Sequence, residues 1–179
     1  NDGATTFFPT SAADDGAVHA LGSGVFFGAT ADVDADGQPA AGANGDDDDG
    51  NNDDDGIVFT SAIDPGYPAT VEVEASAACG ALTCYLNAWM DFNADGDWED
   101  AGEQIFTDQV VGAGINAGLT FPVPVSATPH SELLCRFRLS TDSGLAYTGL
   151  AVDGEVEDYR VVSVPVELLS FEIERGGAR

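Results

Sequence analysis

Lysine is missing from the chain, and its five arginines (Arg136, Arg138, Arg160, Arg175 and Arg179) all fall in the last quarter. Residues 1–135 therefore carry no fixed positive charge, and 32 Asp and Glu give the 179 residues a formal net charge of −27. Such a surface excludes nucleic acid as a partner, because phosphate binding needs a basic face. No apolar run approaches the ~20 residues of a helical membrane span, so membrane insertion by a helix is not expected. The two histidines, His19 and His130, stand outside any ligand-spaced motif, and no G-x-S-x-G or H-E-x-x-H context occurs. Carboxylates are too numerous for a two-carboxylate glycosidase site to be excluded by counting. The expectation is nevertheless a protein that is not an enzyme. Segments with the 3.6-residue periodicity of an amphipathic helix are also lacking.

What is present is apolar residues at 44%, enough for a globular core despite the charge. They alternate with period two in short runs. Val71, Val73 and Ala75 are expected to point inward and Glu72 and Glu74 outward. Cys84, Leu86, Ala88, Met90 and Phe92 share one strand face, and Leu133, Cys135, Phe137 and Leu139 another. Further strands are expected over 16–21, 24–29, 57–60, 104–111, 119–125, 132–140 and from 154 onward. Pro122 and Pro124 place the strand over 119–125 at a sheet edge, and 64–68 and 147–150 read as turns. Nine or ten strands joined by turn signals predict an all-β fold, an antiparallel β-sandwich of jelly-roll or Ig-like type. Cys79 and Cys84 are spaced to form a disulfide across a tight hairpin, in an oxidising compartment. Cys135 is left over, either as a buried thiol or as an intermolecular bridge.

The stretch with the most specific chemistry is Asp91-Phe92-Asn93-Ala94-Asp95-Gly96-Asp97. Oxygen ligands at alternate positions can curl around one hard cation, and Gly at the sixth position allows the sharp turn. The expected ligands of a calcium ion are Asp91, Asn93, Asp95 and Asp97, with Glu103 one place beyond the twelfth position, which is Gly102. The preceding segment is strand-like, so this is a calcium loop without the helical pair. Asp32, Asp34 and Asp36 repeat the spacing before Gly37, in a region where ten Asp fall within residues 31–56. Self-repulsion of this size opposes a compact state, and bound Ca2+, more than one ion, is the expected compensation. The plain alternative is that both stretches are solvated turns.

Gly154-Glu155-Val156-Glu157-Asp158-Tyr159 is the hexapeptide that names the GEVED domain family of bacterial secreted and cell-surface proteins. Asp32 to Pro39, Asp53 to Ile57, Leu86 to Asn93, Gly102 to Phe106, Arg136 to Ser140 and Thr148 to Leu150 also resemble that family. The resemblance spans residues 16–163, with an N-terminal extension over 1–15 and a C-terminal strand or tail over 164–179. It implies a secreted calcium-binding β-sandwich with no catalytic chemistry. Glu155 and Glu157 share one strand face. They either close the metal site of the acidic loop or pair with Arg136 and Arg138 across the sheet.

The chain begins at Asn1 rather than Met, which is expected of a secreted product whose leader has been removed. The expected role is a structural or adhesive module of the bacterial surface, joined to further copies or to a neighbouring surface protein. Val166, Leu169, Phe171 and Ile173 are the expected assembly residues, in a strand that adds to a neighbour's open sheet edge, with residues 1–10 as a second contact. The alternative function is a calcium-dependent carbohydrate-binding module for a surface glycan, with Trp89, Trp98, Tyr67 and Tyr147 as stacking faces.

Overall fold

The computed structural model describes residues 8–9, 15–20, 22–29, 55–129 and 131–164. Among these residues nine strands run in chain order as β1 (Ala17–His19), β2 (Ile57–Phe59), β3 (Pro68–Ala75), β4 (Cys84–Met90), β5 (Gln104–Val111), β6 (Gly114–Pro122), β7 (Glu132–Ser140), β8 (Gly149–Ala151) and β9 (Glu155–Val162). They form a three-stranded sheet of order β2-β3-β6, a four-stranded sheet of order β5-β4-β7-β9 and a small pair β1-β8. Both larger sheets are antiparallel, and β1 and β8 run parallel. The result is an all-β, sandwich-like fold.

The core lies between the two sheets and follows the period of the side chains. Val71, Val73, Ala75 and Phe121 belong to the same buried cluster as Leu86, Ala88, Met90, Leu133, Cys135, Phe137 and Leu139. Successive side chains of a strand alternate in direction. The intervening residues of β4 and β7 (Asn87, Trp89, Arg136 and Arg138) therefore occupy the opposite face, and they too are buried. Among the described residues β6, which ends at Pro122, pairs with β3 alone and so lies at the sheet edge, as the proline favours.

Three local expectations change. Residues 24–29 form no ladder: only Phe27 makes a bridge, to Ala75, because Gly24 and Gly28 take φ of +75° and +59° and turn the chain. The Cys79–Cys84 disulfide is present, but not across a hairpin. A 3-10 turn over Ala77–Gly80 carries the chain from β3 in one sheet to β4 in the other, so the bridge fastens that crossing. Cys135 is buried and unbridged. Gly149 and Leu150, expected in a turn over 147–150, instead belong to β8, the strand that pairs with β1.

Candidate metal centre

Residues 91–103 connect β4 to its antiparallel neighbour β5. The ladder continues into the loop, with Met90 N–H donating to the Glu103 carbonyl (2.8 Å) and Asp91 N–H to that of Leu134 (2.9 Å). Phe92 and Trp98 are buried and anchor the loop from below. Thr128 pins it from the side, its N–H donating to the Phe92 carbonyl (2.7 Å) and its hydroxyl to that of Asn93 (2.8 Å). Ala94 and Gly96 take φ of +58° and +104°, which turns the chain sharply within the loop.

The carboxylates of this loop differ sharply in their surroundings. Asp91 is only 3% exposed; its Oδ2 accepts from Gly96 N–H (3.0 Å), while its Oδ1 is buried without a hydrogen-bond partner. Glu103 is equally buried and spans the base of the loop, accepting from Phe92 N–H (3.1 Å) and Asp100 N–H (3.3 Å). Burial, reinforced by the Asp91 charge and opposed by those two amides, pushes the Glu103 carboxyl up to about 7. Burial also raises Asp91, and the neighbouring Asp95 adds to it. Asn93 sits amid the group: its Oδ1 accepts from Asp95 N–H (3.0 Å), and its Nδ2 donates to Asp95 (2.9 Å) and Asp100 (2.6 Å). Asp97 turns toward the next residues and accepts from Glu99 N–H (2.9 Å).

These residues fit a hard cation by one direct criterion. A buried carboxylate oxygen without a donor is costly and uncommon, and a cation beside Asp91 Oδ1 would satisfy it. Asp91, Asn93, Asp95 and Glu103 are the oxygen donors brought together, and Asp100 joins them through Asn93. The sequence spacing noted Asp100 only as a neighbour. Among the described residues no three Asp, Glu, His or Cys side chains are gathered as tightly as a bound metal requires. The Asn93 amide stands between the carboxylates of Asp95 and Asp100 and donates to both.

The second acidic region is described only at its base. Asp32, Asp34 and Asp36 lie outside the described residues, as do Val166, Leu169, Phe171 and Ile173. The two ends of the segment 30–54 meet closely. Ala29 N–H donates to Asp55 Oδ1 (3.3 Å), and a Cβ on Gly56 would stand 2.4 Å from that of Phe27. Glu155 and Glu157 act at this base: Glu155 accepts from Phe27 N–H (2.6 Å), and Glu157 from Gly56 N–H (3.3 Å) and the Tyr159 hydroxyl (2.8 Å).

The alternative pairing of these glutamates with arginine is not what forms. Register sets Asp158 opposite Arg136, and Glu155 and Glu157 opposite the core residues Leu139 and Phe137. Arg136 therefore pairs with Asp158 through two bonds (2.7 and 2.6 Å). Arg138 donates to the carbonyls of Ala146, Thr148 and Gly149 and to His19 Nε2. Because Nε2 accepts from Arg138, His19 is neutral, and its Nδ1 donates to the Asp153 carbonyl (2.6 Å). Burial and the Arg138 charge lower its pKa to about 4.

Among the described residues the aromatic side chains do not form an exposed platform. Trp89 and Trp98 are 4% exposed and cluster with Phe8, Leu134 and Tyr147. Tyr67 is exposed at the turn over 64–67, away from that cluster.

Fold and site together define an all-β sandwich-like domain with a disulfide at its sheet crossing and carboxylate-lined loops at its strand ends. Residues 85–162 match the family model of the GEVED domain. The match runs from β4 through the 91–103 loop to the end of β9. No curated protein and no solved structure matches the chain.

Proposed function

We propose that the protein is a non-enzymatic, calcium-stabilised structural or adhesive module of the bacterial surface. It is secreted and joins further copies into an extracellular filament. The observation that carries this reading is the pair of buried acids, Asp91 and Glu103, of which Asp91 keeps Oδ1 unpartnered. Calcium held by Asp91, Asn93, Asp95 and Glu103 removes the cost of burying two carboxylates side by side and locks the β4–β5 connection. In a chain of net charge −27, cations bound at the acidic loops also lower the repulsion between copies. The buried positions of Trp89 and Trp98 speak against the carbohydrate-binding alternative, which needs exposed ring faces.

The test is a thermal melt with size analysis in millimolar calcium and in EDTA. A ligand that binds the native state alone stabilises it by mass action, about 2.7 kcal/mol at a hundredfold excess over Kd. The expected outcome is a Tm several degrees lower in EDTA. An unchanged melt, with metal loss verified by elemental analysis, would show that the loops are solvated turns.

A further inference from the structure

On the outer face of the four-stranded sheet, Trp89, Trp98, Leu134 and Tyr147 enclose a pocket that holds Phe8. Phe8 meets Trp98 edge-on with ring centroids 4.6 Å apart, and Trp98 and Tyr147 meet at 5.8 Å. The Arg136 guanidinium lies 4.9 Å from the Trp98 ring centroid. Its Nη1 donates to the carbonyls of Pro9 (2.8 Å) and Tyr147 (2.9 Å), while Asp158 holds its other side. The pocket thus reads two features of the segment it holds, an aromatic ring and the carbonyl of the next residue.

We propose that this pocket is a receptor for a Phe-Pro segment, and that copies of the chain join by exchanging the segment that holds Phe8 and Pro9, each seated in a neighbour's pocket. The proposal rests on the self-assembly reading above and names its contact. Charge selects this occupant. Residues 3–13 carry no ionisable side chain in a chain with 32 acids, and the receiving face holds Arg136 and, two positions along, Arg138. The exchange therefore joins a neutral segment to a cation-bearing site, where most other surfaces of two such chains would repel. The contacts are the same whether the segment comes from the same chain or a neighbour, so exchange sacrifices none and concentration decides. Six peptide units link Pro9 to Asp15, a reach of at most about 20 Å, which limits the exchange to close neighbours. Trp98 belongs to the 91–103 loop, and Tyr147 donates to Glu99 Oε1 of that loop (3.1 Å), so ordering of the loop also builds the pocket wall.

The test uses the full chain carrying Phe8→Ala, in calcium, titrated with a peptide of residues 3–13 and followed by tryptophan fluorescence. Saturable binding is expected, at least roughly tenfold tighter than that of the same peptide with Phe8→Ala. The variant chain should also form smaller species than wild type by size analysis, while its EDTA-sensitive Tm shift persists. Absence of binding, or equal binding of both peptides, would overturn the receptor. Binding accompanied by wild-type chain that stays monomeric at every concentration would overturn the exchange. Loss of the Tm shift in wild type strikes the calcium reading instead. Phe8→Leu keeps an apolar side chain in place and serves if Phe8→Ala does not fold.

Discussion

The 91–103 loop and the base of the 30–54 segment are both lined with carboxylates, yet their surroundings differ. At the base, Glu155, Glu157 and Asp55 accept from backbone N–H groups of Phe27, Gly56 and Ala29. In the loop, Asp91 keeps one buried oxygen without a donor, and Glu103 is pushed up to about 7 by burial. The same side chains therefore do different things. Where backbone donors suffice, a carboxylate fastens two chain ends together. Where they do not, it is left asking for a cation. Density of Asp alone does not distinguish these roles; the supply of donors does.

The largest separation between the two regions is expected from neutralising each in turn. Asp91→Asn keeps the shape of the side chain and removes the charge a cation needs. In calcium it should lose most of the metal-dependent stabilisation, about 2–3 kcal/mol at a hundredfold excess over Kd. In EDTA it should match or exceed wild type, since a buried charge is gone. Wild-type dependence of Tm on calcium in this variant would remove Asp91 from the site.

Glu157 should respond the other way. Glu157→Ala leaves Gly56 N–H and the Tyr159 hydroxyl without this acceptor, a cost of about 1–3 kcal/mol for a buried group. Glu157→Gln retains an acceptor oxygen and should recover much of that loss. The calcium-dependent shift of the 91–103 loop should survive in both. Equal destabilisation by Gln and Ala would mean that the negative charge itself matters at the base, as it would for a metal ligand, and the contrast drawn above would fail.

The strand faces of β3, β4 and β7 were legible because alternation writes burial directly into sequence. The 91–103 loop was legible because alternate oxygens around a glycine constrain both turn and chemistry. Other features leave no such mark. Whether β3 and β4 pair or part depends on a 3-10 turn whose residues, Ala77 to Gly80, carry no strong signal. The partner of Arg136 depends on register: Asp158 lies on the arginine face, and Glu155 and Glu157, three residues and one residue before it, lie opposite the core residues Leu139 and Phe137. The seating of Phe8 against Trp98 joins residues far apart in the chain, and only the fold brings them together.

The smallest effect sharpens the comparison through pH. His19 has a folded pKa of about 4, below its unfolded 6.5, so the unfolded chain binds more protons between these values. Its contribution to stability is complete above pH 6.5 and is lost as pH falls toward 4. Glu103 without a cation is the reverse: its folded pKa of about 7 exceeds the unfolded 4.5, so stability falls as pH rises through that window. In EDTA the two trends oppose each other, and Tm should vary little between pH 4.5 and 6.5. Calcium holds Glu103 ionised and cancels its trend, so in calcium Tm should climb with pH over the same range. Glu103→Gln in EDTA should show more of the climb without any metal, because the opposing Glu103 trend is gone. A wild-type Tm that runs parallel in EDTA and in calcium would mean that Glu103 does not sense the cation, and would move the site away from the base of the loop.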